Sequence, residues 1–198
     1  MAKSVNKQKR IGILGGTFNP IHSGHLNLAG HAKKILSLDK VIFVPAYIPP
    51  HKKIENGISP KDRLNMIGRA IRNEKSLMLS LYEIKRPRKS YSIDTLEYFK
   101  KKYGSKAKLF FLIGADSLIG IHSWRHIKKA LKLAQFVVCG RPDYSLENCP
   151  KGINKINIPQ KDVSSTKIRT LLKKGKSIKG IVPAAVEKYI KTKHLYIA

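Results

Sequence analysis

Residues 11–36 have the sequence IGILGGTFNPIHSGHLNLAGHAKKIL, in which a strand pattern, a glycine turn and a helix pattern follow one another directly. Ile11 to Leu14 form a short apolar run that ends at Gly15-Gly16, as is typical of a buried strand. The helix predicted from His25 to Leu36 has an apolar face formed by Leu28, Ala29, Ala32 and Leu36. This stretch therefore predicts the first strand–turn–helix unit of an α/β fold.

The same alternation continues along the chain. Further strands are predicted at residues 41–44, 77–81, 109–113, 136–139 and 156–158. Further helices are predicted from Ser59-Pro60 onward, from a Ser92 cap to Gly104, and at residues 124–133, 165–174 and 183–192. The alternation predicts a Rossmann-like, doubly wound parallel sheet with helices on both faces and a small C-terminal helical segment.

The predicted topology also locates a site. In such sheets, ligands bind beyond the carboxyl ends of the strands, at the point where the strand order reverses. Two predicted strands end in glycine, one at Gly15-Gly16 and the other at Gly114-Ala115-Asp116. We therefore expect these two strand ends to be neighbours and to flank the site.

Composition and charge narrow the class of protein. The 198 residues, 42% of them apolar, fit one domain, which we assign to residues 10–198 after a basic, flexible tail at residues 1–9. We expect a cytoplasmic protein with free thiols, because the two cysteines, Cys139 and Cys149, do not form a disulfide framework and no signal-peptide or membrane-span pattern is present. The net charge of +28 attracts polyanions, but lysines spread along the whole chain favour a solvated basic surface over a nucleic-acid site.

Two histidines at the start of the first helix indicate an anion site. His22 and His25 are three residues apart, so both project toward the free amide groups of the helix N-terminus. A cation is unfavourable there, and a phosphate between the rings would offset that cost. The alternatives are a buried histidine pair and a metal-binding pair. Gly15-Gly16 and Gly24 favour the phosphate, since glycine lets an anion approach the backbone closely.

A second anion site is predicted near the end of the chain. Ser164-Ser165-Thr166 cap a helix, and Arg169 lies one turn further on. Hydroxyl and amide groups bind anions, and a guanidinium group can form paired hydrogen bonds with phosphate oxygens. A plain helix cap with a solvent-exposed arginine is the alternative. Beside the first motif, we predict that His22, His25 and Arg169 form one phosphate clamp.

The motif from Gly15 to Leu26 resembles the signature of the nucleotidyltransferase superfamily, whose HxGH element binds ATP phosphates. The complete sequence from Gly15 to Leu26 is similar to that of bacterial nicotinate-mononucleotide adenylyltransferases. The resemblance covers nearly the whole chain and includes Pro49-Pro50-His51-Lys52, residues 90–96 (SYSIDTL), Ile113-Gly114-Ala115-Asp116, Trp124 and residues 164–169 (SSTKIR). Sibling enzymes share the first and last motifs, so the middle segments indicate the substrate.

The resemblance implies that the 5′-phosphate of nicotinate mononucleotide attacks the α-phosphorus of ATP, giving deamido-NAD and pyrophosphate. A phosphate monoester has a second pKa of about 6, so this nucleophile is largely ionised at neutral pH and needs no general base. Alignment and charge neutralisation are needed instead, from His22, His25, Arg169, Lys52 and a Mg²⁺ ion carried by the ATP phosphates without a protein metal site. The predicted ATP-binding residues are Gly15, Gly16, Thr17, Phe18, His22, His25, Ser165, Thr166 and Arg169, with His22, His25 and Arg169 catalytic.

The resemblance also implies an acceptor site. Trp124, the only tryptophan, would stack on the nicotinate ring, and Ser92 would meet the ring carboxylate. Asp116 would bind ribose hydroxyls or help the metal, with an ordinary helix cap as the alternative. Arg125 stands where a second aromatic residue is expected; an arginine suits a carboxylate, but we expect its side chain to face solvent. The predicted acceptor-binding residues are Lys52, Ser92, Gly114, Asp116, Trp124 and Arg125.

Other functions remain open at this point. A sibling transferase could act on nicotinamide mononucleotide, on phosphopantetheine or, with CTP, on a phosphoalcohol, although the Pro49–Lys52 and Gly114–Trp124 segments argue against the last two. A nucleic-acid-binding protein is supported by charge alone, without interleaved aromatic residues or a zinc pattern. A class I aminoacyl-tRNA synthetase also has an HxGH element, but this chain is too short. The partners expected are ATP and nicotinate mononucleotide, with no membrane, and a homo-oligomer is compatible with the sequence.

Overall fold

The computed structural model describes residues 8–50, 54, 58–118, 120–140, 151–159 and 161–197, apart from the side chain of Asp116. Within them, the strands are β1 (Lys9–Gly16), β2 (Lys40–Pro45), β3 (Leu77–Leu79), β4 (Ala107–Gly114), β5 (Gln135–Gly140) and β6 (Ile153–Asn157). They form one parallel sheet with the order β3-β2-β1-β4-β5-β6. The predicted parallel α/β sheet is confirmed.

Helices cover both faces of this sheet. They are α1 (Ser23–Ile35), α2 (Pro60–Ile71), α3 (Ser92–Tyr103), α4 (Ile127–Leu133), α5 (Ser165–Lys173) and α6 (Ala184–Thr192). One apolar core contains residues of α1, α2, α5 and α6, and the other contains residues of α3 and α4. Within the described part of the chain, no helix has the length and apolar character needed to cross a membrane.

The strands are apolar throughout because both of their faces are buried. Along β4, Leu112 belongs to the core beneath α1 and α2, whereas Phe111 and Ile113 belong to the core beneath α3 and α4. This follows from the two-residue period of a strand, and it explains why the sequence shows continuous apolar runs rather than alternation.

The strand order reverses between β1 and β4. From β1 the chain builds outward through β2 to β3, and then returns to place β4 on the other side of β1. Ile13 pairs with Phe111 and Leu14 pairs with Leu112, so Gly15-Gly16 and Gly114 emerge side by side. The two glycine-bearing strand ends are therefore neighbours, as predicted, and they stand where α/β sheets bind ligands.

Helix starts follow local hydrogen bonding, and α1 begins at Ser23, two residues before the predicted start, with His22 as its N-cap. The Ser59 hydroxyl caps α2 by accepting from the Asp62 amide at 3.0 Å, as expected. Ser92 is not a cap: Tyr91 occupies that position, and Ser92 is already the first helical residue of α3. Trp124 is not helical, because His126 adopts a left-handed conformation (φ 53°) directly before α4 and separates the two.

Most strands extend one or two residues beyond the prediction, as β4 does at Ala107–Gly114, and three boundaries differ for a clear reason. The last strand spans Ile153–Asn157 rather than 156–158, because its pairing with β5 starts at Ile153. β3 stops at Leu79, since only residues 77–79 pair with β2, and Leu81 lies beyond the strand. β1 starts at Lys9, so the last residue of the predicted tail belongs to the sheet, while residues 1–7 lie outside the described residues.

Candidate active site

Two cavities meet at the carboxyl ends of β1 and β4. Both are lined by Gly15, Gly16, Thr17, Gly114 and Ser117. The first, here called the polar cavity, is further lined by Phe18, His22, Gly24, His25, Ser165, Thr166 and Arg169, among others. The second, here called the aromatic cavity, is further lined by Pro49, Pro50, Glu83, Ser90, Tyr91, Ser92, Phe111, Trp124 and Arg125, among others.

The two histidines of the polar cavity lie against each other. His22 is the N-cap residue of α1, and its ring stacks on that of His25 with centroids 3.7 Å apart and 28° between the planes. The backbone N–H of His22 donates to Nδ1 of His25 at 3.2 Å. Because Nδ1 accepts, a neutral His25 ring carries its proton on Nε2, where it can donate to an anion.

Packing and burial set the state of these rings. The Phe18 ring is almost fully buried and meets His25 edge-on, with centroids 4.9 Å apart. His22 is also buried, and this burial lowers its pKa to about 4, so the ring is neutral at pH 7. An anion placed beside His22 would favour the imidazolium form and raise that pKa.

Gly24 is required by the packing of His22. A Cβ at position 24 would lie 3.0 Å from Nδ1 of His22 and 3.0 Å from Cγ1 of Val163. Both contacts are tighter than most side-chain contacts, so the His22 ring and Val163 would have to shift by a few tenths of an ångström. The glycine in the HxGH pattern therefore leaves room for the first histidine ring beside the start of α1.

The start of α5 is held against the turn that follows β1. The hydroxyl of Ser165 donates to the carbonyl oxygen of Pro20 at 2.9 Å. The guanidinium of Arg169 donates to the carbonyl oxygen of Asn19 at 2.9 Å and to Oγ1 of Thr166 at 3.2 Å. These bonds bring the two predicted phosphate motifs together, although more than 140 residues separate them in the chain.

The aromatic cavity is built from packed rings. Trp124 stands roughly perpendicular to Phe111, with centroids 6.2 Å apart, and it also contacts Phe136 at 6.4 Å. Ser92 contributes the N-terminus of α3, and Gly114 lies at the junction with the polar cavity. The exposed Arg125 does not simply face solvent: its guanidinium carbon lies 4.9 Å from the centroid of the Tyr91 ring.

Two of the predicted site residues fall outside the described part of the structure. Lys52 lies in the segment 51–53, which is not described, and only the backbone of Asp116 is described, in a short 3₁₀ turn after β4. The other predicted residues all line one cavity or both. Their assignment to ATP or to an acceptor stays a prediction.

Sequence reasoning missed two buried charged residues beside the site. Arg63 of α2 is fully buried, and Glu83, which lines the aromatic cavity, is 9% exposed. The available signal for Arg63 was its spacing, because it precedes Ile67 and Ile71 by four and eight residues on the apolar face of α2. Glu83 lies in no helix or strand, so no periodic pattern marked it.

The C-terminal segment was also missed. The hydroxyl of Tyr196 donates to Oδ1 of Asn19 at 2.7 Å, and both side chains are buried. Burial raises the pKa of the Tyr196 hydroxyl, so it stays a donor at neutral pH. The last residues of the chain therefore help to hold the turn that follows β1.

Comparison with known proteins shows the family to which the chain belongs. Residues 13–171, which contain both motifs of the polar cavity, match a family described as cytidylyltransferase-like. A probable nicotinate-nucleotide adenylyltransferase of Clostridium tetani is 41% identical over 199 residues, covering 95% of this chain and 99% of that protein. The chain belongs to the cytidylyltransferase-like family, among its nicotinate-nucleotide adenylyltransferases.

Other members of this adenylyltransferase family are similar over the same range. One from Thermoanaerobacter is 38% identical over 203 residues, covering 97% of this chain and 96% of its own length. Among solved structures, Plasmodium falciparum nicotinic acid mononucleotide adenylyltransferase complexed with NaAD superposes with a TM-score of 0.78 at 23% identity, covering 96% of this chain and 98% of that one. That likeness agrees with the fold described above.

Proposed function

We propose that this enzyme transfers the adenylyl group of ATP to nicotinate mononucleotide, giving deamido-NAD and pyrophosphate in NAD biosynthesis. The observation that carries the proposal is the meeting of a polar and an aromatic cavity at the ends of β1 and β4. ATP would occupy the polar cavity and the acceptor the aromatic one, so that the reacting phosphates meet over Gly15-Gly16. The names of the relatives support the same pair of substrates.

The polar cavity suits a triphosphate. His22 and His25 lie at the N-terminus of α1, while Ser165, Thr166 and Arg169 lie in the first turns of α5. Two helix N-termini, hydroxyl groups and a guanidinium all favour phosphate oxygens. We propose that His22, His25 and Arg169 stabilise the charge that moves onto the leaving pyrophosphate.

The proposed step needs no general base. An oxygen of the acceptor's 5′-phosphate attacks the α-phosphorus of ATP, the bond from that phosphorus to the β-phosphate bridging oxygen breaks, and pyrophosphate leaves. Since the attacking phosphate is already largely ionised at neutral pH, the protein contributes alignment and charge stabilisation. No proton has to be removed by a side chain.

Nucleotidyl transfer from ATP is a metal-assisted reaction in this family, and we propose Mg²⁺ as the ion. Bound to ATP, Mg²⁺ would neutralise charge on the phosphate oxygens. The described residues contain no cluster of three histidine, cysteine or acidic side chains arranged as metal ligands. The side chains around the polar cavity include cationic, imidazole, amide and hydroxyl donors, which fit phosphates that carry their own metal ion.

The aromatic cavity suits nicotinate. Trp124 offers an aromatic ring, and Ser92 offers a hydroxyl and the amide groups at the start of α3. Helix N-terminal donors favour a carboxylate, which is the group that distinguishes nicotinate from nicotinamide. Arg125, which lies over the Tyr91 ring at the same cavity, adds positive charge near the acceptor.

Further assignments rest on the resemblance. We propose that Lys52 contacts a phosphate and that Asp116 contacts ribose hydroxyls or the metal. We propose a cytoplasmic location because the few cysteines are expected to stay reduced there. Among the described residues, Cys139 is a free thiol and is buried. The basic surface is proposed to serve solubility and weak attraction of anionic substrates.

The test is pyrophosphate release with ATP, Mg²⁺ and a panel of phosphorylated acceptors. The proposal predicts rapid release with nicotinate mononucleotide and little with phosphopantetheine. Faster release with phosphopantetheine would replace the proposed acceptor. A complex with RNA or DNA that survives about 0.3 M salt, where non-specific binding is usually lost, would instead support the nucleic-acid alternative.

A further inference from the structure

A fully buried arginine ties together two turns at the junction of the cavities. Arg63, in the first turn of α2, donates to the carbonyl oxygens of Thr17 at 2.9 Å, Ala46 at 2.6 Å and Tyr47 at 3.3 Å. Thr17 follows β1, whereas Ala46 and Tyr47 follow β2. One guanidinium therefore sets the spacing between the turn shared by both cavities and the loop that leads into Pro49-Pro50.

A buried carboxylate holds the opposite wall. Glu83 lines the aromatic cavity together with Ser90, and it accepts a hydrogen bond from the hydroxyl of Thr95. Thr95 is a buried residue of α3, and Ser90 stands two residues before Ser92 at the start of that helix. Burial raises the pKa of the Glu83 carboxyl, and the neighbouring hydroxyls of Thr95 and Ser90 oppose that shift.

Tyr47 joins the arginine to the carboxylate. Its carbonyl accepts from Arg63, and its N–H donates to the Ser90 hydroxyl oxygen at 2.9 Å. The Ser90 hydroxyl accepts from Tyr47, and it also favours the ionised form of Glu83 by lowering the pKa of that carboxyl. The result is a row of neighbouring polar groups from α2, along the aromatic cavity, to the start of α3.

We propose that Arg63 and Glu83 are positioning residues for the acceptor, which act as one unit through Tyr47 and Ser90. They hold the wall that carries Ser90 to Ser92 at a set distance from the Gly16–Thr17 turn, where the acceptor phosphate must meet ATP. This inference rests on the proposed function, because it concerns how the acceptor is aligned.

The network is poorly explained by stability alone. Burying charged groups costs free energy, and apolar side chains of similar size often stabilise a fold equally well or better. Nε of Arg63 is buried without a hydrogen-bond partner among the described residues, so burial leaves one of its N–H groups unpaired. A hydrogen-bonded polar network does, however, impose one geometry on the groups it joins, which is what an alignment role requires.

The experiment uses the single tryptophan as a reporter. Trp124 lines the aromatic cavity, so its fluorescence should change when an acceptor binds. Kd is measured by titrating wild type, Glu83→Gln and Thr95→Val with nicotinate mononucleotide, and separately with MgATP by calorimetry. Loss of one charged hydrogen bond should weaken acceptor binding about tenfold in both variants and leave the Kd of ATP unchanged.

Arg63→Lys extends the test to the other end of the network. Lysine keeps the positive charge but lacks the branched guanidinium group that donates to three carbonyl oxygens. Because one of these carbonyls belongs to Thr17, which lines both cavities, the Kd values of both acceptor and ATP should rise. Glu97→Gln on α3 and Arg72→Lys after α2 are exposed controls that should bind both ligands as wild type does.

A purely structural role gives a different result. Destabilised protein would lower the amplitude of the fluorescence change and kcat because fewer molecules are folded, and it would raise the apparent Kd values of acceptor and ATP by the same factor. Unchanged acceptor Kd in both Glu83→Gln and Thr95→Val would overturn the inference. If wild type releases no pyrophosphate with nicotinate mononucleotide, the proposed function fails instead, and the same titrations are made with the acceptor that gives the fastest pyrophosphate release.

Discussion

The rings of His22 and His25 stack with their centroids 3.7 Å apart, and the backbone amide of His22 donates to the ring of His25. Two potentially cationic rings can lie this close because burial keeps His22 neutral, with a pKa of about 4. The two rings therefore lie at the start of α1 without repelling each other, as the proposed contact with phosphate requires. This geometry is the basis of the first two predictions.

Replacing His25 by alanine should lower turnover strongly. A donor that meets charge developing in the transition state contributes roughly 3–4 kcal/mol, so we expect kcat to fall by two to three orders of magnitude. His31→Ala on the same helix is the control, since His31 lines neither cavity. Near-normal kcat in His25→Ala, measured by pyrophosphate release, would remove this ring from the mechanism.

Protein stability should fall in acid because of His22. Its pKa in the folded protein, about 4, lies below the ordinary value of 6.5, so the stability due to its neutral form is complete above pH 6.5 and declines as the pH falls toward 4. At pH 5 the loss from this group should be about 2 kcal/mol. Urea unfolding at pH 7.5 and pH 5 should show this loss in wild type, and a smaller one in His22→Gln. An equal loss in both proteins would contradict the assignment.

Two glycines of α1 should respond oppositely to alanine. Gly24→Ala places a methyl group 3.0 Å from the His22 ring and should lower kcat by displacing that ring. Gly30→Ala meets no atom within 4 Å, so it should leave kcat unchanged and raise the free energy of unfolding by about 0.5–1 kcal/mol. Kinetics and urea unfolding of both variants check this pair. Equal kinetics in the two variants would mean that the His22 ring position does not matter.

The strand–turn–helix motifs could be predicted from sequence because their causes are local. A glycine pair after a short apolar run, such as Gly15-Gly16, marks the end of a strand. Ser59 caps its helix through a hydrogen bond from the Asp62 amide. The adjacency of Gly16 and Gly114 could also be predicted, since parallel α/β sheets follow few topologies.

The buried polar contacts could not be predicted, because they depend on distant parts of the chain. Arg63 bonds to carbonyls up to 46 residues away, and Tyr196 bonds to Asn19 across 177 residues. The polarity of both residues suggests exposure when they are considered alone. The start of α3 shows a limit of local prediction. The sequence pattern located the helix, but it could not distinguish the N-cap, Tyr91, from the first helical residue, Ser92.

Ser92 and Trp124 should affect the acceptor in different ways. Ser92→Ala removes a hydroxyl donor suited to the nicotinate carboxylate, so it should narrow the difference in kcat/KM between nicotinate and nicotinamide mononucleotides. Trp124→Ala removes an aromatic face that either ring can use and should weaken both acceptors alike. Steady-state kinetics with each acceptor at fixed MgATP separates the two effects. A selective loss of one acceptor in Trp124→Ala would contradict the stacking role.

The most direct test of the account is the ratio of kcat/KM for nicotinate mononucleotide to that for nicotinamide mononucleotide at fixed MgATP. The two acceptors differ only in a carboxylate and a carboxamide, and the NH₂ group of the amide would face donors at the start of α3. Buried donors left unpaired cost about 1–3 kcal/mol each, so we expect nicotinate to be preferred on the order of a hundredfold. Equal values, or a preference for the amide, would contradict both the acceptor cavity and the proposed substrate.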